Sequence, residues 1–277
     1  MDDMAIALLD FARNCRRLAT QALGSFAGKP ASGGLPRWVH VVVHCLRLEE
    51  GWTYTEVIDR LRLMPTFCEL LGLLPEAMPD PTTFYYSFDR YAMRVWRALL
   101  RVSAQQHPHS GHVALDSTFF ERGHASHYYL KRADRTIQTL NVTTLTDVES
   151  LAILDVHCSV KWRHDTILGR KLVRRNADEL VSVAADKAFH NWPIRYEYRA
   201  ESVEPLVLRG GSTLGPTLHN ALIRANGYNQ RWMAETSYSS TKRSLGSDVR
   251  SFTWCRKFHE IVLMFAVHNI ERISKTL

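Results

Sequence analysis

Apolar positions recur at helical spacing through the first hundred residues. Asp3–Leu23 places Ile6, Leu9, Cys15 and Leu18 at near-helical intervals beside Arg13, Arg16 and Arg17, which predicts a helix. Gly24–Pro36 is rich in Gly, Ser and Pro and reads as a loop. Trp38–Leu48 is a second apolar helix. Thr53 or Thr55 caps a third over Glu56–Leu63, which Pro65 ends, and Thr66–Leu71 is a short fourth. The stretch PDPTTFYYSFDR then gives a Pro-rich entry, a cap at Thr82 or Thr83, and a helix to about Leu100. Short helices with tight junctions fit two arrangements. In a helix-turn-helix, Thr82, Thr83, Tyr85, Tyr86 and Arg90 lie at or near a nucleic acid. In a plain helical bundle they are ordinary surface.

Val102–Gly111 is polar, contains Pro108 and marks the best domain boundary, after which the period changes. Strands are predicted over His112–Phe120, His127–Lys131, Thr136–Thr144 and Leu151–Ser159. A helix over Asp165–Arg175, a strand over Leu180–Ala185, a helix over Ala188–Arg199 and a strand over Val203–Leu208 follow. After the Gly-rich loop RGGSTLGP come helices over Asn229–Leu245 and Trp254–Ile273. Antiparallel strands followed by alternating helix and strand predict a mixed α/β sheet. The expected division is a helical segment over 1–105 and a second domain over 106–277.

Composition narrows the function classes. With 45% apolar and 10% aromatic residues in 277, the chain is long and apolar enough to bury a substantial core. No apolar run reaches the roughly 18 residues of a membrane span. Asp2 and Asp3 stand where a secretory signal carries positive charge. The five cysteines are widely spaced without a CxxC, which argues against a disulfide framework or a cysteine zinc module. His124, His127, His157 and Cys158 match no standard zinc spacing. The expectation is a reduced, cytoplasmic protein. A net charge of +7 is compatible with a polyanionic partner.

Candidate chemistry lies in the carboxylates. Asp116 interrupts the apolar strand VALDST, where a charge needs a partner or a metal. Asp186 ends the strand VSVAADK. In YNQRWMAETSYSSTK, the residues Tyr228, Arg231, Glu235 and Lys242 are spaced three, four and seven apart, which puts them on one helix face. Acids at strand centre, strand end and helix face can converge on magnesium or manganese, which prefer oxygen ligands. Duller readings stand beside these: a strand-end carboxylate at Asp116, a helix cap at Asp186, an i,i+4 ion pair for Arg231–Glu235. Asp155 in LAILDVH competes with Asp116 on identical grounds, and Asp165 reads as a cap. Arg90, Arg94 and Arg97 form a basic stripe, and Lys171, Arg174 and Arg175 a second cluster; either suits phosphate contact or a solvated face.

Three of these stretches resemble the transposases of insertion sequences, the IS4/IS5-like group with a DDE catalytic domain, over about Leu35 to Arg272. VALDSTFFERG is similar to the segment around the first catalytic Asp, Asp116. VSVAADKAFH is similar to that around the second, Asp186. The family's Tyr-x2-Arg-x3-Glu-x6-Lys signature matches at Tyr228, Arg231, Glu235 and Lys242. The best-fitting subgroup is IS5-like, and SHYYLKR is similar to haloarchaeal versions, although +7 is unlike a halophile's acidic surface. Phe189 and Ala188 depart from the family's usual Tyr and Gly after the second Asp. The resemblance selects Asp116 over Asp155 and makes Asp165 a supporting residue. It implies a ribonuclease-H-like mixed sheet with flanking helices, preceded by a mostly α-helical DNA-binding segment. The 48 residues between Asp186 and Glu235 leave no room for the large β insertion of some relatives.

The resemblance further implies two Mg²⁺ or Mn²⁺ ions held by Asp116, Asp186 and Glu235, with Asp116 bridging, and an in-line displacement at phosphorus. Hydrolysis at the element's end exposes a 3′-hydroxyl, which then attacks target DNA. Arg231 and Lys242 position phosphates, while Tyr228 stacks on a flipped base, touches the backbone or packs against the sheet. Expected partners are double-stranded DNA with terminal inverted repeats, target DNA and further copies of the chain, as a homodimer or larger assembly on nucleoid DNA. The alternatives are a related metal-dependent nuclease and a catalytically silent DNA-binding protein derived from a transposase.

Overall fold

A computed structural model describes residues 2–31, 34–122, 139–159, 165–190, 192–251 and 253–276. The strand expected over His127–Lys131, the start of the one expected at Thr136, and His124 lie outside the described residues. The chain divides into two compact units, Met1–Gln106 with Thr253–Leu277, and His107–Phe252.

The first unit is all helical: α1 (Asp2–Leu23), α2 (Arg37–Glu49), α3 (Tyr54–Arg62), α4 (Pro65–Leu71), α5 (Pro81–Arg90), α6 (Met93–Ala104) and α11 (Trp254–Thr276). Local chemistry sets the starts. Thr53 and Glu56 form a reciprocal capping box on α3. On α5 the cap is Asp80, which accepts from the Thr82 N–H at 2.8 Å and the Thr82 hydroxyl at 2.6 Å, rather than Thr82 or Thr83. The single helix expected up to Leu100 is two. Tyr91 turns extended between α5 and α6, its buried ring lying edge-on to Trp96 and its hydroxyl donating to the Arg37 carbonyl. Arg90 therefore ends one helix while Arg94 and Arg97 lie on the next, so the three do not form one stripe.

The last helix also departs from expectation. It belongs to the first unit, not to the unit bearing the sheet. Ile261–Ile270 is buried on every side, and Asn269 donates to the Ser103 hydroxyl of α6 at 3.3 Å. A helix without a polar face needs neighbours all round it, and α1, α2, α5 and α6 supply them.

The second unit holds β1 (His112–Arg122), β2 (Leu140–Asp147), β3 (Ile153–Ser159), α7 (Asp165–Asn176), β4 (Ser182–Ala185), α8 (Trp192–Ala200), β5 (Glu204–Val207), α9 (Leu214–Ala225), α10 (Trp232–Leu245) and β6 (Asp248–Val249). The sheet order is β3-β2-β1-β4-β5. β1 pairs antiparallel with β2 and parallel with β4, and β4 parallel with β5. This is a mixed sheet with flanking helices, as the resemblance implies. Ala188–Arg199 divides into a 3-10 turn at Lys187–Phe189 and the helix α8. α9 starts at the end of the expected RGGSTLGP loop and continues through a stretch for which no element was expected. Among the described residues, no helix is long and apolar enough to cross a membrane.

Packing under β1 is tight. Gly169 of α7 lies where an added Cβ would come within 2.7 Å of Leu115 Cδ2 and 3.0 Å of the Phe189 ring. Leu115 and Phe189 are both buried in that core. Phe189 thus serves as the apolar anchor of the segment after Asp186. Overpacking a filled core costs about 1–3 kcal/mol. Gly169→Ala is expected to lower stability by that amount, read as a lower denaturant midpoint at unchanged m-value. An unchanged midpoint would show that α7 shifts freely on the sheet.

Candidate active site

Two of the predicted acids share the centre of the sheet. Leu115 and Ala185 are register partners on parallel strands, so Asp116 and Asp186 follow them side by side, on strands about 4.8 Å apart. Asp116 is partly buried. Its Oδ1 accepts from the Ser117 N–H at 2.8 Å and its Oδ2 from the Tyr238 hydroxyl at 3.1 Å. Burial pushes its carboxyl above the usual aspartate range, and the nearby Glu235 charge adds to this against the two hydrogen bonds and Arg231. Asp186 caps the 3-10 turn Lys187–Phe189 and accepts from the Lys187 N–H at 2.7 Å.

The third acid arrives on α10, which is fastened along the sheet at several points. The Ser237 hydroxyl donates to the Leu151 carbonyl at 2.7 Å. Tyr238 reaches Asp116. Lys242 Nζ donates to the Thr118 hydroxyl at 2.6 Å and the Phe119 carbonyl at 2.8 Å. Beyond the helix, Glu121 N–H bonds the Ser247 carbonyl and β6 pairs with the end of β1. Glu235 lies three residues before Tyr238, hence on the same face.

Arg231 links the acids. Its Nη1 donates to Glu235 Oε1 at 3.1 Å. Burial opposes its charge, but Tyr228, Asp186 and Glu235 together outweigh that and hold the guanidinium ionised. Tyr228 is buried, and desolvation raises its hydroxyl. The Tyr228–Arg231 segment is a 3-10 turn rather than the start of the helix. Gly227 before it, at φ 100°, makes the left-handed bend that a side chain would resist.

Asp155 is accounted for elsewhere. Arg175 bridges it at 2.7 Å, Asn176 donates to it at 3.1 Å, and its other oxygen takes the Val156 N–H. That ties Arg175 to β3, while Lys171 and Arg174 stay exposed on α7. Asp165 opens α7, and its side chain lies outside the described residues. In the helical unit, Thr82, Arg90 and Arg94 are exposed, Thr83 and Arg97 half-buried, and the exposed Tyr85 carries the Arg256 guanidinium 4.1 Å over its ring.

Sequence reasoning missed Tyr238. The signal was present, since Arg231, Glu235, Tyr238 and Lys242 step by four, three and four along one helical face. Lys242, expected at a phosphate, spends its ammonium on β1. Burial also lowers its pKa.

Among the described residues, no three His, Cys, Asp or Glu side chains are grouped closely enough to hold a metal ion. The donor chemistry nevertheless suits a hard divalent cation: an Asp desolvated at sheet centre, a Glu whose charge acts on it, and an Asp one strand away. Asp116 therefore costs stability while no cation is near. Its folded carboxyl titrates above its unfolded value, so the native state holds the extra proton and stability falls as pH rises through that window. In metal-free buffer at neutral pH, Asp116→Asn is expected to melt at or above the wild-type Tm. The gap should close below about pH 4, the ordinary aspartate range. A variant that melts well below wild type at neutral pH would make Asp116 a structural carboxylate.

Comparison with known proteins fits this geometry. No curated protein matches the chain. One similar solved structure is a piggyBac transposase in a synaptic complex with hairpin DNA, at 8% identity and a TM-score of 0.48, covering 98% of this chain and 75% of that one. The family model described as "Transposase DDE domain" matches residues 107–270, more than half of the chain and the whole of the sheet-bearing unit. On that match, with Asp116, Asp186 and Glu235 on β1, β4's end and α10, the chain belongs to the DDE-domain transposase family.

Proposed function

We propose that this transposase hydrolyses DNA at the ends of an insertion sequence and joins the exposed 3′-hydroxyl to target DNA, with Asp116, Asp186 and Glu235 as its catalytic residues. The observation that supports the reading is the docking of α10 on β1, which brings Glu235 close enough for its charge to act on Asp116. Two Mg²⁺ or Mn²⁺ ions held by those acids would supply positive charge to the attacking and leaving oxygens.

The chain's own side chains have separable parts. Tyr238 and the Ser117 N–H occupy one lone pair on each Asp116 oxygen and fix its orientation. Arg231 holds Glu235 in the absence of metal and is placed to turn to a phosphate oxygen when a cation takes over that carboxylate. Lys242 keeps the strand beyond Asp116 in register with the helix. The helical unit is the natural reader of the element's inverted repeats, through Thr82, Thr83, Tyr85, Arg90, Arg94 and Arg97, with Lys171 and Arg174 as further phosphate contacts. Two or more copies on DNA would bring two ends together. IS5-like membership rests on the Tyr-Arg-Glu-Lys spacing and the short Asp186–Glu235 interval.

Matched end DNA, target DNA and Mg²⁺ with the full chain test the proposal. Joined product is expected from wild type. Asp116→Asn, Asp186→Asn and Glu235→Gln should each reduce cleavage to background while retaining end binding. Nicks without joining would favour the nuclease, and binding without either the silent form. Cleavage surviving in Asp116→Asn would displace the assigned site.

A further inference from the structure

The ends of β4 and β5 carry a second concentration of charge, of opposite sign to the carboxylates. Arg195 of α8 is only 3% exposed. Its Nη1 donates to the Val207 carbonyl and to His219 Nε2, both at 3.1 Å, so His219 accepts there as a neutral ring. Its Nη2 is buried without a hydrogen-bond partner. Lys187 follows Asp186 and packs over Gly210, where an added Cβ would stand 3.2 Å from Cε and 3.5 Å from Nζ. Arg209 lies in the same loop. Asn220 of α9 clamps its backbone, accepting from its N–H at 2.8 Å and donating to its carbonyl at 3.0 Å.

These groups repel one another. Burial, then Arg195, Arg209 and Lys187, push His190 below the usual histidine range. Burial lowers Arg195, and Arg209 and Arg199 lower it further. The carboxylate acting on Arg195 is Glu204, which is exposed and bonded to Arg199 at 3.1 Å. A buried guanidinium nitrogen without an acceptor and cations facing cations are both costs, of a kind that a bound anion removes. Ligands of open α/β sheets gather at the carboxyl ends of parallel strands, and the missing side chain at Gly210 lets the Lys187 ammonium lie against the loop backbone here.

We propose that Lys187, His190, Arg195 and Arg209, with the Gly210 backbone, form a phosphate pocket that takes a backbone phosphate of the DNA substrate beside the catalytic carboxylates. The pocket rests on the transposase reading for the source of its phosphate and not for its charge. Asp186 divides the two sites: its charge acts on Arg231 and Tyr228, while Lys187 turns toward Gly210. A strand cut at the acids is thereby gripped one or a few nucleotides away, which resists its departure between cleavage and joining.

The test uses the full chain, a ~30-base-pair duplex and salt between about 50 and 200 mM. Each phosphate contact contributes about 0.9 to the slope of log K against log salt. Arg209→Gln and Lys187→Gln, both nearer the surface than Arg195 and checked for folding by circular dichroism, should each lower that slope by up to about 0.9. Arg209→Lys should restore most of it. Inorganic phosphate should raise the wild-type Tm above chloride at matched ionic strength, and the rise should vanish in Arg209→Gln. An unchanged slope in both variants, with wild type still cutting DNA, would overturn the pocket and leave the transposase reading intact. A wild type that neither binds nor cuts DNA, yet is stabilised by phosphate, would overturn DNA as the source.

Discussion

The contact between α10 and β1 governs the catalytic unit. A helix lying on a sheet is ordinarily held by apolar side chains, but here Ser237, Tyr238 and Lys242 do much of the fastening through hydrogen bonds to Leu151, Asp116, Thr118 and Phe119. Such bonds fix the helix along its axis and in rotation, which apolar contact alone does loosely. Axial register matters because it sets which turn of α10 lies beside Asp116, on which the Glu235 charge acts. A shift of one helical turn is 5.4 Å, enough to take the carboxylate out of reach. β6 repeats the restraint from the other end, since the chain leaving α10 pairs at once with Glu121 and Arg122.

Much of this was legible in the residues. Period two and period 3.6 located most strands and helices, and the isolated acids in VALDST and VSVAADK stood out because a charge in an apolar strand needs a reason. What stayed hidden depended on partners distant in sequence. Asp116 and Asp155 look alike locally. Only the fold reveals that Arg175 and Asn176 neutralise the second while the first faces Tyr238 and Glu235. The break at Tyr91 carries no proline or glycine, and it follows from burying that ring against Trp96. α9 followed a Gly-rich loop and exposes Leu214, Leu218 and Leu222, so no buried apolar face announced it. The destination of α11 was likewise invisible, because an all-round apolar helix says that it is surrounded, not by what.

Charge is partitioned along the edge where the parallel strands end. On one side, the Glu235 charge adds to the burial that raises Asp116, and Arg231 bonds Glu235. On the other, Arg209 and Arg199 add to the burial that lowers Arg195, with Glu204 bonded to Arg199. Each cluster is locally unfavourable, and such sites are where a fold departs from what stability alone would select. The complementary reagents are cations for the first and phosphate for the second. DNA with a divalent ion would bring both at once, if the two clusters act as proposed. The net charge of +7 is thus less informative than its division.

The path of the chain adds a further constraint. The sheet-bearing unit begins and ends inside the helical one, because α11 returns to pack with α1, α2, α5 and α6. The catalytic sheet itself is closed by β1–β6 pairing and by α10 before the chain leaves at Thr253. Asp116, Asp186 and Glu235 accordingly draw their local order from 107–252, while the helical unit's core depends on residues from both extremes of the sequence. A lesion in α11 strikes the helical unit first, although it lies downstream of Asp116, Asp186 and Glu235, and the family match extending to 270 crosses that physical boundary.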